Sequence, residues 1–396
     1  MSSILALLII LSFCVLIYWL VLPRKWSTAF LLLCSVLFIA FFSIKHTAYF
    51  LLNIGIVYAG GHLIRQERAN KKRILQLVLI WLIGNLCFFK YIHLFINGIS
   101  ALQDYFSFIP QIDFPAILFP LGLSYIIFRS IHYIVEVYRQ KAPSSSFIDF
   151  AAYVLFFPTF LSGPVERFPK FHAQTLEQKD FDISYFNDGL LRIVSGIIKK
   201  FIVADYLRSI VMPVLSTPED YGRCIIILAV YGLAIQIYMD FSGYTDMALG
   251  VSKLFGYTIM ENFNYPYFKK NIALFWRNWH ISVYSFIRDY FFFPLFGYRA
   301  STRKIYIGVF CTMLVFMLWH EGSLNFLLLG IYHGLGLIIW NLFQEMKRKY
   351  AFLRRKKESR FRNLISTFIT FSFVSFGFVI FVFNTHQINQ ILSGIF

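Results

Sequence analysis

Long apolar runs, broken by short polar joints, set the pattern of this chain. The first charge is Arg24, and before it lies ILALLIILSFCVLIYWLVL. As a helix rising about 1.5 Å per residue, that run crosses a hydrocarbon core of about 30 Å. It lacks the basic start and short apolar centre of a secretory signal, so it reads as a retained span. Further apolar stretches run at about 27–44, 47–64, 74–96, 116–138, 148–163, 187–212, 222–241, 303–319, 323–344 and 363–384. Unpaired backbone amides are too costly in lipid, so these runs must be helices. They do not alternate in polarity as barrel strands do. The pattern predicts an all-α polytopic membrane protein with roughly 9–12 transmembrane helices.

Composition agrees. The 396 residues are 58% hydrophobic and 14% charged, too few charges to cover a soluble globule of this size, since soluble chains average about 25%. An ordinary soluble enzyme, a disordered chain and a disulfide-stapled secreted domain are excluded. Cysteines 14, 34, 87, 224 and 311 all sit in apolar runs with no C-x-x-C pair and read as inert packing residues.

The net charge of +17 fits basic loops facing anionic membrane lipid and implies no nucleic-acid partner. Arg24 and Lys25, RQERANKKR (65–73) and KRKYAFLRRKKESRFR (347–362) carry much of it, whereas 97–115 holds Asp104 and Asp113 and no basic residue. The positive-inside rule places the three basic stretches in the cytoplasm, 97–115 outside and both termini outside. That orientation suits a multi-pass protein of the cytoplasmic membrane. No repeat, low-complexity tract or linker marks a second domain, so 1–396 reads as one integral-membrane domain.

Residues 236–299 are aromatic-rich yet carry Asp240, Asp246, Glu261, Arg277, His280, Arg288 and Asp289. Ionisable groups at membrane depth are expensive and tend to line a cavity or pathway. The segment is expected to hold re-entrant or short helices over 240–300, punctuated by Gly243, Gly250, Gly256 and Pro266. Asp240, Ser242 and Tyr244 could form a polar wall, while Ser242 or Asp246 could instead cap a helix starting near Met247. Trp276, Arg277 and Asn278 should open another short helix ahead of His280. Arg288 and Asp289, two turns beyond His280, read first as a structural pair. His320, followed by Glu321, ends an uncharged run where two helices meet, and imidazole suits proton transfer near neutral pH. His333 sits in Gly330-x-x-x-Gly334, a close-packing pattern, and reads as structural. No ligand spacing supports a zinc site from His280, His320 and His333.

Seven stretches in order resemble the membrane-bound O-acyltransferase family. They are PLGLSYIIFRSIHYIVEVYR (120–139), FFPTFLSGPVERFPKF (156–171), IQIYMDFSGYTDMALG (235–250), ENFNYPYF (261–268), FWRNWHISVYSFIRDYFFFPLFGYR (275–299), MLWHEG (317–322) and GIYHGLGL (330–337). The nearer likeness is to its prokaryotic branch: alginate O-acetylases, peptidoglycan O-acetyltransferases and the D-alanyl transfer proteins of teichoic acid modification. The resemblance implies helices around a central cavity, with no bound cofactor or metal. It implies transfer of an acyl group, acetyl favoured, from a cytoplasmic thioester donor (acetyl-CoA or an acyl-carrier protein). The acceptor would be a hydroxyl of a cell-surface glycopolymer, with an extracellular partner transferase possible. The family's essential histidine falls on His320 and its second histidine on His280. Glu321 stands where the family usually has a small residue. The chain is also short for the branch, which would leave an accessory extracellular segment missing.

On this reading His320 is the general base, and His280, with Arg277 or Asn278, stabilises the oxyanion or positions the donor. A relay through a hydroxyl of Ser242, Tyr244 or Tyr284 is a variant. A D-alanyl transferase is the alternative within the class. A transporter without chemistry is the alternative outside it, weakened by the absence of an internal repeat.

Overall fold

The computed structural model describes residues 2–66, 69–106, 118–177, 180–299, 301–350 and 359–396. Side chains 2–8, 101 and 104 also fall outside the description. The expected outward position of Asp104 and Asp113, and much of the basic 347–362 stretch, therefore lie outside the described residues.

The described residues are helical and contain no strand. In order they form α1 (Ser2–Leu16), α2 (Ser27–Phe42), α3 (Ile44–Gln66), α4 (Lys71–Tyr105), α5 (Leu123–Tyr138) and α6 (Phe147–Leu155). There follow α7 (Phe168–Leu176), α8 (Ile183–Ile197), α9 (Asp205–Ser216), α10 (Arg223–Leu254), α11 (Ile272–Asn278) and α12 (Ile281–Ile287). The last are α13 (Phe293–Phe296), α14 (Thr302–His320), α15 (Leu324–Lys349), α16 (Arg360–Val382) and α17 (Thr385–Ile395). Among the described residues seven helices are long and apolar enough to cross a membrane, and two shorter apolar helices cover Ile9–Val21 and Phe147–Thr159. The remaining apolar runs fall short for visible reasons. Gly122, at φ 82°, opens α5 late, so the run at 116–138 yields only 16 helical residues. Pro158 lies in a tight turn that follows α6. The run at 187–212 is interrupted by Lys199, Lys200, Asp205 and Arg208.

The chain groups into two compact units: Met1–Ile193 with Met247–Met260, and Val194–Asp246 with Glu261–Phe396. Two of the boundaries fall inside α8 and α10, and the third lies in the non-helical stretch after α10.

The first unit packs around aromatic rings, among them Tyr133 and Phe150 with centroids 4.0 Å apart. Its polar residues are consumed as internal struts. Arg129 is 1% exposed and donates to the carbonyls of Val154 at 2.9 Å and Thr159 at 2.8 Å. His132 accepts the Phe168 N–H at 2.8 Å. Glu166 accepts the N–H groups of Arg167 at 2.8 Å and Met260 at 2.6 Å. Buried backbone groups must be paired, and these side chains pair them where the helices stop.

In the second unit, α9, α10, α16 and α17 share an aliphatic core that includes Leu215, Val230, Val379 and Ile391. Helices α14 and α15 pack closely because Gly330 and Gly334 leave room for Leu314 and Phe310. The short helices α11, α12 and α13 lie between Ile272 and Phe296, in the region where short helices were expected.

The other half of that expectation needs correction. Residues 240–254 are not broken. Asp240, Ser242, Gly243, Tyr244, Asp246 and Gly250 all lie inside the 32-residue α10, so neither Ser242 nor Asp246 is a helix cap. A Cβ on Gly243 would stand 2.8 Å from the carbonyl oxygen of Gly196. This glycine admits a neighbouring backbone and does not break the helix. The break comes later, at Gly256 with φ 77°.

Candidate active site

His280 joins two short helices. Trp276, Arg277 and Asn278 close α11 and do not open it, and His280 stands before α12 with φ 47°, in the left-handed region. A non-glycine residue in that conformation carries strain that its surroundings must hold. The surroundings here are Asn262, which is fully buried. Its carbonyl accepts the Ile281 N–H at 2.9 Å. Its side-chain oxygen accepts the Ser282 N–H at 3.3 Å and lies 3.4 Å from His280 Nδ1. The loop is tied a second time where Asn264 N–H donates to the carbonyl of Asn278 at 3.1 Å.

That arrangement fixes the tautomer. Because the Asn262 oxygen accepts a backbone N–H, the amide orientation is set, and His280 Nδ1 must carry a proton to donate to the same oxygen. Nε2 of His280 is then a bare acceptor. It is buried and has no hydrogen-bonding protein partner.

His320 is the last residue of α14, and Glu321 follows in extended backbone at φ −157°. The junction to α15 brings two helix ends together at this imidazole, as the sequence suggests. The rings of Phe316 and Trp319 bracket both histidines. Phe316 lies 6.2 Å from His280 and 5.6 Å from His320. Trp319 lies 6.1 Å and 4.5 Å from them, centroid to centroid.

His280 and His320 line one cavity of about 70 Å³, together with Trp276, His333, Phe241 and Phe381. A water needs about 10–15 Å³ of such space, so the cavity admits a few waters or a small acyl group, not a whole thioester donor. Its wall is otherwise apolar, but three buried nitrogens in lining residues have no protein partner: His280 Nε2, Trp276 Nε1 and His333 Nδ1. Buried polar atoms are normally satisfied, and leaving them unpaired costs about 1–3 kcal/mol each. The three nitrogens belong to residues that line the void, whose surface is otherwise almost wholly apolar.

Most of the expected polar wall is elsewhere. Asp240 pairs with Lys200 at 2.6 Å, and Asp246 pairs with Lys199 at 2.5 Å. Ser242 is buried in α10 and Tyr244 is half-buried there; neither lines the cavity. Arg277 is exposed, and Asn278 turns back to donate to Leu274 O at 2.7 Å. Arg288 and Asp289 pair with each other at 2.8 Å, at the start of a π-turn over Arg288–Phe292 that shifts the helix face. Glu321 is exposed. Of the expected residues other than the two histidines, only Trp276 reaches the cavity. His333, read as structural, lines it too, and its ring also meets Trp276 edge-on at 4.9 Å. Asn262 was missed; its only signal was its place in ENFNYPYF. Among the described residues, no three His, Cys, Asp or Glu side chains gather as metal ligands.

Comparison with known proteins bears on this geometry. The model of the membrane-bound O-acyltransferase family matches residues 24–384. The chain is 33% identical to a probable alginate O-acetylase of Pseudomonas syringae pv. tomato, over 90% of this chain and 67% of that protein. It is 27% identical to the peptidoglycan O-acetyltransferase of Helicobacter pylori, over 91% of this chain and 71% of the relative. It is 31% identical to the teichoic acid D-alanyltransferase of Bacillus subtilis, over 66% and 68%. Matches to other probable alginate O-acetylases cover 52% and 57% of their lengths, so the chain spans between about half and two thirds of these relatives.

Proposed function

Since the chain belongs to the membrane-bound O-acyltransferase family, we propose that it moves an acyl group, acetyl in our reading, from a thioester to a hydroxyl of a cell-surface glycopolymer. The observation carrying this is one small cavity with an apolar wall that His280, His320 and Trp276 line together with His333.

In the proposed reaction His320 takes the proton of the acceptor hydroxyl as its oxygen bonds to the thioester carbonyl carbon. The carbonyl becomes an oxyanion. When it collapses, the carbon–sulfur bond breaks, and the thiolate leaves with the proton His320 had taken. The hydrogen bonds around the cavity support two further roles. With Nδ1 donating to Asn262, His280 offers Nε2 as an acceptor, which suits orienting the attacking hydroxyl better than stabilising an oxyanion. Trp276 Nε1 is the donor suited to the oxyanion. In a dry cavity such a donor is worth far more than in water.

The donor is acetyl-CoA or a charged carrier protein from the cytoplasmic side. The acceptor stands outside, and an extracellular transferase can take over the product. Named relatives act on alginate, peptidoglycan and teichoic acid, so the polymer remains to be assigned by experiment.

The test uses the protein in proteoliposomes, supplied in parallel with labelled acetyl-CoA and with a D-alanyl-charged carrier, against each polymer. Label from acetyl-CoA appearing on polysaccharide supports the reading. Label only from the D-alanyl carrier reassigns the group. Transfer that survives His320→Ala removes the assigned base.

A further inference from the structure

A groove of about 1070 Å³ lies in the second unit, walled by α15, α16 and the start of α11. The two long helices are antiparallel. Lys347 in the last turn of α15 and Arg362 in the first turn of α16 line one end of the groove. At the other end a Cβ on Gly336 would meet Phe373, and one turn further a Cβ on Gly377 would meet His333. From Lys347 to Gly336 is about 16 Å along the helix, at 1.5 Å per residue. That is half of a hydrocarbon core of about 30 Å, or the depth of one leaflet.

The chemistry of the groove changes along that length. Its mouth carries Lys347 and Arg362, Lys270 lines it next to Ile272, and no acidic side chain is among its described lining residues. The Lys347 ammonium sits 4.4 Å above the Phe343 ring. Below the mouth the wall is Ile339, Trp340, Ile365, Ile369 and Phe373. Ile339 is 65% exposed and Ile369 62%, on helices built to cross a membrane, so the groove opens toward lipid. Between head and tail, the buried Gln344 Nε2 has no hydrogen-bond partner, a donor placed for a glycerol or ester oxygen.

We propose that this groove holds one anionic phospholipid, its phosphate at Lys347 and Arg362 and an acyl chain along α15 and α16. A free phosphate would use the bases and leave the apolar wall bare. A thioester donor would bring its phosphates but has no long alkyl chain to lay against isoleucines facing the bilayer. Charge complementarity at the mouth and one-leaflet depth below it both select a lipid.

The test follows lipid retention by native mass spectrometry on protein in neutral detergent, titrated with phosphatidylglycerol or phosphatidylcholine. Phosphatidylglycerol is expected to be retained at tenfold or more lower concentration. The variant K347Q/R362Q should fall to the phosphatidylcholine level, while K347R/R362K, which keeps both charges, retains the preference. Chain-brominated phosphatidylglycerol should quench the fluorescence of Trp340, so Trp340→Phe loses a quenchable component. Equal retention of the two lipids, an unchanged preference in the neutral variant, or quenching untouched by Trp340→Phe would each overturn the proposal. So would displacement of phosphatidylglycerol by equimolar inorganic phosphate or acetyl-CoA.

Discussion

Asn262 does for His280 what no neighbour in sequence could do: it ties the strained loop and chooses which ring nitrogen bears the proton. Asn262→Ala is expected to leave the Ser282 N–H unpaired, at a stability cost of about 1–3 kcal/mol, and to lower kcat by about 100-fold through a misplaced imidazole. KM should change little. Equal kcat in a folded Asn262→Ala protein contradicts the tautomer argument. Trp276→Phe keeps the ring packed on His333 but removes the N–H, and it should lower kcat by about 100-fold or more; an unchanged kcat removes Trp276 as the oxyanion donor. At this scale the sequence was legible only in part. His280 and His320 stood out because imidazoles in an aromatic, apolar context demand explanation. Asn262 gave no such signal, because an asparagine between Gly256 and Pro266 reads as loop. Asp240 and Asp246 misled for the opposite reason. Their partners, Lys200 and Lys199, stand 40 and 47 positions away, and no linear pattern pairs them.

Those two lysines belong to a π-helical stretch, Ile198–Ala204, that continues α8, and the pairing is a property of elements. The Asp246 side chain is only 6% exposed. Removing Lys199 takes a cation away from a buried carboxylate, so Lys199→Ala is expected to cost about 3 kcal/mol, and Lys199→Leu with Asp246→Leu to recover most of it. Thermal melts in detergent read both; a double variant no better than the single one would mean the pair itself is needed. The same helices explain why Gly243 was misjudged. A glycine between polar residues fits a helix break and a close crossing equally well, and periodicity cannot choose. The 2.8 Å approach to the Gly196 carbonyl chooses. By contrast, the junction at His320 was readable, because WHEGS joins two long apolar runs with no other place for a turn.

Over the whole chain, hydropathy fixes where the long spans run, but a span crosses in either direction, and only charge in the joints breaks that symmetry. The crossings and the charges agree. Helices α2 and α3 are both long enough to cross, so two crossings return the chain from Arg24 and Lys25 to the basic stretch at 65–73 on one side. Helices α15 and α16 flank 347–362, and α14 begins with Arg303 and Lys304. If the joints that carry two or more basic residues are cytoplasmic, as the positive-inside rule requires, the junction after His320 faces the opposite side, as does the α2–α3 joint with its single Lys45. The acceptor hydroxyl then meets the general base from outside. Cysteine labelling decides this, in a background with the five native cysteines replaced, because Cys87 and Cys224 are themselves exposed. Asn70→Cys and Ser359→Cys are expected to react with an impermeant maleimide only once the membrane is opened, and Lys45→Cys and Ser323→Cys on intact cells. Labelling of positions 70 and 359 from opposite sides breaks the crossing order itself. Labelling of Ser323→Cys together with position 359 puts His320 at the donor's face, and the external acceptor then has no direct route to the base.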